Sequence, residues 1–166
     1  MKRTILFIPM LLSIIFCHAQ TNETIKLSAI EDFNSTTDSN YIPYYQDTQR
    51  EALAINAAQY KNQFALAVSR FEGESGKYLV SILTMAENDG ESTYKLLVND
   101  KVIATAQNPT TTKSFEDAQL DFGRVKLKTS DKIAIAFNSH TNEKIPEGDI
   151  TAYSRGRWKA LILAKK

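Results

Sequence analysis

From residue 77 onward the chain runs in short apolar segments of strand length, each bounded by turn residues. "KYLVSILTM" (77–85) is a long run rich in β-formers and predicts a central strand buried on both faces. "STYKLLVN" (92–99) puts Tyr94, Leu96 and Val98 on one face. "KVIATAQ" (101–107) follows it across Asn99-Asp100, which reads as a two-residue hairpin turn. "VKLK" (125–128) and "KIAIAF" (132–137) flank the turn-like "TSD", with Ile133, Ile135 and Phe137 sharing a face. "RWKALILA" (157–164) closes the pattern, Trp158, Ala160 and Ile162 alternating with Lys159, Leu161 and Leu163.

The first third is less regular. "IKLSAIEDF" (25–33) reads as a strand. "REALAINAAQYKNQFALAVSRF" (50–71) is alanine-rich enough to begin as a helix, yet "QFALAVSRF" is extended in character and "EGESG" after it is turn material. Short strands at 52–57 and 63–71 are the expectation. Eight or nine short strands with little helix predict an all-β fold, a jelly-roll β-sandwich of antiparallel strands forming one domain over 20–166.

Strand order then places the loops. Consecutive antiparallel strands reverse direction, so alternate connections emerge at the same end. Loops 86–91, 108–119 and 138–156 are therefore expected together, with the short "ND" and "TSD" turns at the opposite end. Loop 34–50 joins the long loops if 50–71 holds one strand, and the other end if it holds two. Long loops on a β scaffold are where binding residues usually sit.

Residues 1–19 stand apart. "MKR" is a basic start, "TILFIPMLLSIIF" an apolar run, and Cys17 and Ala19 take the small positions of a signal peptidase site, so cleavage after Ala19 is expected. The run is shorter than the ~20 residues of a spanning helix. A secreted or periplasmic product, with or without association to the cell surface, follows. It lacks cysteine, since Cys17 leaves with the signal, and so has no disulfide framework. Losing Lys2 and Arg3 takes the 20 basic residues to 18, against 19 acidic ones, which is no nucleic-acid surface.

Candidate chemistry sits in the long loops. "ENDGES" carries Glu87, Asp89 and Glu91 around Gly90. Carboxylates about a tight turn suit a hard cation, with Glu87 and Asp89 as calcium ligands, or a hydroxyl-rich ligand. They equally suit a solvated turn. Arg155 and Arg157 alternate around Gly156, and their forks fit carboxylate, sulfate or sugar hydroxyls. The plainer alternative pairs them with Glu147, Asp149 or the "ENDGE" acids. Trp158 opens an apolar strand and is either core or sugar platform; Tyr153 is freer to stack on a sugar ring. His140 and Asn142 are further hydrogen-bonding candidates. Tyr41, Tyr44 and Tyr45 in "YIPYY" either recognise a glycan or pin their loop to the sandwich. No G-x-S-x-G nucleophile motif occurs, and no acid is marked as a glycosidase acid.

"FEGESGKYLVSILTMAENDGESTYKLLVNDKVI" (71–103), with the closing "RGRWKALIL", resembles galactose-binding-like β-sandwich domains, in particular carbohydrate-binding modules of the family-six type. "E-x-D-G-E-S-x-Y" together with "TN-x-KIPEG…A-Y-x-RGRW" is similar to domains appended to secreted bacterial glycan-degrading enzymes. The resemblance implies a non-catalytic sugar-binding sandwich, often with a structural calcium ion, whose partners are a poly- or oligosaccharide and a glycan-degrading enzyme or envelope protein. The usual hairpin glycine is Asp100 here, and "EALAINAAQ" stands where an acidic calcium motif is expected. Two other readings stay open: an adhesion module that docks another protein, and a small polysaccharide hydrolase or lyase.

Overall fold

The computed structural model describes residues 23–166, so the signal sequence expected over 1–19 lies outside the described residues. Two antiparallel sheets pack face to face. The chain order is β1 (Thr24–Ser28), α1 (Ala29–Asp32), β2 (Asn34–Ser35), β3 (Tyr45–Asp47), β4 (Ala52–Ala54), β5 (Phe64–Arg70), β6 (Gly76–Ala86), β7 (Thr93–Val98), β8 (Lys101–Gln107), β9 (Glu116–Leu127), β10 (Lys132–Asn138), β11 (Pro146–Glu147), β12 (Ile150–Thr151) and β13 (Trp158–Lys165). One sheet runs β3-β4-β13-β6-β9, with β1 also on β13; the other runs β2-β5-β10-β7-β8. This is the jelly-roll β-sandwich that the sequence predicts.

The two inner faces interdigitate as sandwich cores do. Tyr78, Val80 and Ile82 of β6 meet Tyr94, Leu96 and Val98 of β7 and Ile133, Ile135 and Phe137 of β10 in one cluster. Asn99 and Asp100 both have positive φ, 49° and 65°, the geometry of a tight hairpin turn whose twist matches its strands.

Three local expectations change, each for a physical reason. Strand 25–33 stops at Ser28 and turns through α1, where Ser28 N–H donates to Asp32 Oδ2 at 2.6 Å. The strand expected at 125–128 begins at Glu116, and its alternation changes phase at Gly123, where φ is +83° and the pairing to β6 slips. A bulge of this kind inserts one residue and flips every later side chain. The same happens in β13. A register shift between Trp158 and Ala160 puts Trp158, Leu161 and Leu163 together in the inter-sheet cluster, where the alternation groups Trp158 with Ala160 and Ile162.

The loop arithmetic holds. Ala86 of β6 pairs with Glu116 of β9, and Phe137 of β10 pairs with Tyr94 of β7, so loops 87–92, 108–115 and 139–157 emerge together. Residues 50–71 supply two strands, which on the sequence argument sends loop 34–50 to the other end. The loop instead contains β3, and that extra strand reverses the direction again. β3 and β4 form a short hairpin against Trp158, next to the long loops.

Candidate functional site

The foundation of the loop end is a buried polar lattice. Thr84 Oγ1 donates to Asn108 Oδ1 (2.6 Å), and Asn108 Nδ2 donates to Met85 O (3.0 Å) and to the Tyr94 hydroxyl (3.2 Å). The Tyr94 hydroxyl donates in turn to Arg157 O at 3.0 Å. Buried polar groups need such partners, and here they tie loops 108–115 and 139–157 to the core strands. The "ENDGES" turn is pressed against loop 139–157. Asn142 N–H donates to Asp89 O (2.9 Å), and a Cβ on Gly90 would run into the His140 carbonyl.

On this base lies an ion cluster. Arg157, 5% exposed, donates from Nε to Asp47 Oδ2 at 2.8 Å and from Nη1 to Glu87 Oε1. Glu87, 3% exposed, also accepts from Arg155 N–H at 2.5 Å. Burial works against the Arg157 charge, but Glu87 and Asp47 outweigh it and hold the guanidinium charged. Burial likewise pushes Asp47 up, yet the hydrogen bond and charge of Arg157, with Arg50, bring it below the usual carboxylate range. Burial dominates at Glu87 and raises its carboxyl, against Arg157 and the Arg155 N–H.

Above the cluster opens a cleft of about 290 Å³, lined among others by Arg50, Asp89, Ser114, Phe115 and Arg155. Phe115 is 42% exposed and has φ +68°, an unusual conformation for a bulky residue. Its N–H donates to Ala86 O at 2.8 Å, which holds the ring at the cleft. The Arg50 guanidinium lies 4.0 Å from the ring centroid and that of Arg157 5.0 Å, both within cation–π range. Arg155 is exposed, with one side-chain bond, from Nη1 to the Tyr45 hydroxyl at 3.1 Å. Asp89 Oδ1 is buried and has no hydrogen-bond partner among the described residues. Burial pushes the Asp89 carboxyl up, against the nearby Arg157 and Arg155.

The residues singled out from sequence thus divide. Asp89 and Arg155 line the cleft, and Tyr153 lies in a neighbouring one. Glu87 and Arg157 line the cleft too, at its floor, where they form a buried ion pair. Trp158 is fully buried, packed edge-on to Phe33 at 4.9 Å, and is no surface platform. Asn142 braces the loops, donating from Nδ2 to Asn88 O (3.0 Å) and Glu91 Oε1 (3.4 Å). His140 Nδ1 lies 3.9 Å from Glu91 Oε2, so both belong to the same brace. Tyr44 packs on Phe137 at 5.8 Å and pins its loop. Of the acids named as alternative arginine partners, Glu87 of "ENDGE" pairs with Arg157, while Glu147 and Asp149 are exposed on or beside the β11–β12 hairpin.

The "ENDGES" acids turn to different partners. Glu87 turns to Arg157 and Glu91 toward His140, and no three acidic, histidine or cysteine side chains converge to hold a metal among the described residues. Sequence reasoning missed Arg50, Asp47 and Phe115. The signal for Phe115 was present: a lone aromatic in the polar stretch "TTTKSFEDAQ".

No family model matches the chain. Residues of this chain are 35% identical over 115 positions to the uncharacterized protein P23 of Formosa agariphila, covering 68% of this chain and 26% of that protein. The chain therefore spans about a quarter of that relative's length. Among solved structures, the CBM36-1 domain of a multidomain xylanase from the hindgut metagenome of Trinervitermes trinervoides matches with a TM-score of 0.54 at 10% identity, over 87% of this chain and 98% of that one. The Podospora anserina GH26-CBM35 β-(1,4)-mannanase matches at 0.53 and 11% identity, over 87% of this chain and 28% of that one. CBM35 from Cellvibrio japonicus Abf62 matches at 0.50 and 12% identity, over 85% and 92%. The fold is thus that of the β-sandwich carbohydrate-binding modules. These structures belong to types 35 and 36, where the sequence resemblance pointed to the family-six type.

Proposed function

We propose that the protein is an exported, non-catalytic module that binds carbohydrate at the loop end of its sandwich. The observation that carries this reading is the cleft: an exposed aromatic ring, two arginines with most donors uncommitted, and the Asp89 carboxylate share one cavity. An apolar ring suits the C–H face of a sugar. Arg50 and Arg155 supply donors to sugar oxygens, and Asp89 accepts from hydroxyls. Phe115 also fixes the Arg50 plane by stacking. Glu87 and Arg157 form the cleft's floor, held there with Asp47 by their ion pairs. The likeness in fold to carbohydrate-binding modules supports the reading.

A glycan array of neutral and acidic polysaccharides, followed by calorimetry on the hits, tests it. Binding to at least one glycan, weakened by Phe115→Ala or Arg155→Ala, is expected. A folded protein that binds no glycan overturns it. Export is tested by mass spectrometry of the protein recovered outside the cytoplasm, with Gln20 as the expected first residue.

A second reading, docking to another protein, draws on edge strand β8. There Val102 and Ile103 are 54% and 48% exposed beside unpaired backbone groups. It predicts that Ile103→Lys abolishes capture of a partner while glycan binding is untouched.

A further inference from the structure

The cleft beside Phe115 shares a wall with a second one. The second, of about 190 Å³, is lined by Lys61, Ile150, Tyr153 and Ala58, and by the same Asp89 and Arg155. Its walls come from the loop between β4 and β5 and from the β11–β12 hairpin. Lys61 Nζ lies 5.4 Å from the Tyr153 ring centroid, and Ile150 is 50% exposed. Each cleft therefore has one aromatic ring of its own, with Arg50, Arg157 and Glu87 beside the first and Lys61 and Glu147 beside the second. The polar pair between them belongs to both.

Size and chemistry point the same way. The first cleft stands at about the ~300 Å³ where ligand pockets usually begin, the second falls short of it, and the two together exceed it. Asp89 and the exposed Arg155 line both clefts and so lie at the junction. A ligand spanning both clefts needs an apolar ring face at each end and hydroxyls between. Those features recur along a glycan chain and are absent from one sugar. The junction is also held firmly, by the contact of Gly90 with the His140 backbone and by Asn142 N–H donating to Asp89 O.

Resting on the carbohydrate reading above, we propose that the two clefts are adjacent subsites for one continuous glycan chain. The chain crosses the Asp89–Arg155 pair, with one sugar beside Phe115 and another beside Tyr153. The ligand is thus an internal stretch of an oligo- or polysaccharide, not a single sugar.

The test is calorimetry with monosaccharide-to-hexasaccharide ladders of xylose, mannose, galactose and galacturonic acid. Three proteins are compared with the wild type: Phe115→Ala, Tyr153→Ala and Ala58→Trp. The last fills the second cleft from an exposed position without removing any contact, and thermal unfolding confirms that each variant is folded. Affinity should rise at least about tenfold between monosaccharide and tetrasaccharide on the ladder that binds. All three variants should lose that gain. If a monosaccharide binds as tightly as the tetrasaccharide, or if Tyr153→Ala and Ala58→Trp bind the tetrasaccharide as the wild type does, the two-subsite proposal falls while carbohydrate binding stands. If no ladder binds and the array is also blank, both fall.

Discussion

Arg155 and Arg157 are two residues apart and have opposite fates. Arg157 is buried between Glu87 and Asp47, whereas Arg155 faces solvent and touches Tyr45. Truncating one partner of a buried ion pair strands the other charge, at a cost of about 3–5 kcal/mol. Arg157→Ala should therefore lose about that much stability in urea unfolding, where Arg155→Ala should change it by no more than about 0.5 kcal/mol. Binding should show the reverse emphasis, with Arg155→Ala stable but weak on glycan. Asp47 adds a pH dependence. Its folded-state pKa lies below the ordinary 3.8, so its contribution is complete above that value and is lost as the pH falls through the lower one. Glu87, raised by burial, works the other way and costs stability as the pH rises through its folded-state value. Asp47→Asn should start less stable and should flatten the decline that the wild type shows below about pH 4 in chemical denaturation. From the sequence alone both arginines look alike. The partner that separates them, Asp47, is 110 residues from Arg157, and no local pattern announces a pairing over that distance.

At the scale of elements, the strands from Lys77 to Phe137 were legible because their alternation is unbroken where they face the core. The errors fall at β9 and β13, where a bulge breaks the alternation. A strand with a mid-strand phase change reads from sequence as a shorter strand or as the wrong face. The site loops were legible through parity, which depends only on the number of strands between them. The end at which loop 34–50 lies stays open in the sequence because the three-residue β3 is too short to leave a pattern. Phe115 was missed because it lies at the mouth of β9, in a stretch read as a connector. Gly156 ties element to site. It has φ +59°, and a Cβ there would collide with the Asn138 carbonyl between Arg155 and Arg157. Gly156→Ala should cost about 1–3 kcal/mol through overpacking and a strained backbone. It should also displace Arg155, so glycan affinity should fall even at temperatures where the variant is fully folded.

At the scale of the molecule, the sandwich separates two tasks. The sheets and the buried lattice of Thr84, Asn108 and Tyr94 fix the loop end, and the loop end carries the exposed chemistry. No helix among the described residues is long and apolar enough to cross a membrane. The claim on which the rest depends is that glycan is bound at the loop end. Backbone amide NMR during titration with the glycan that the array selects tests it most directly. Shifts should concentrate at Asp89, Ser114, Phe115, Arg155 and Tyr153 and leave the edge strand β8 unmoved. Shifts confined to β8 or to the outer sheet faces, or none at saturating glycan, would contradict it.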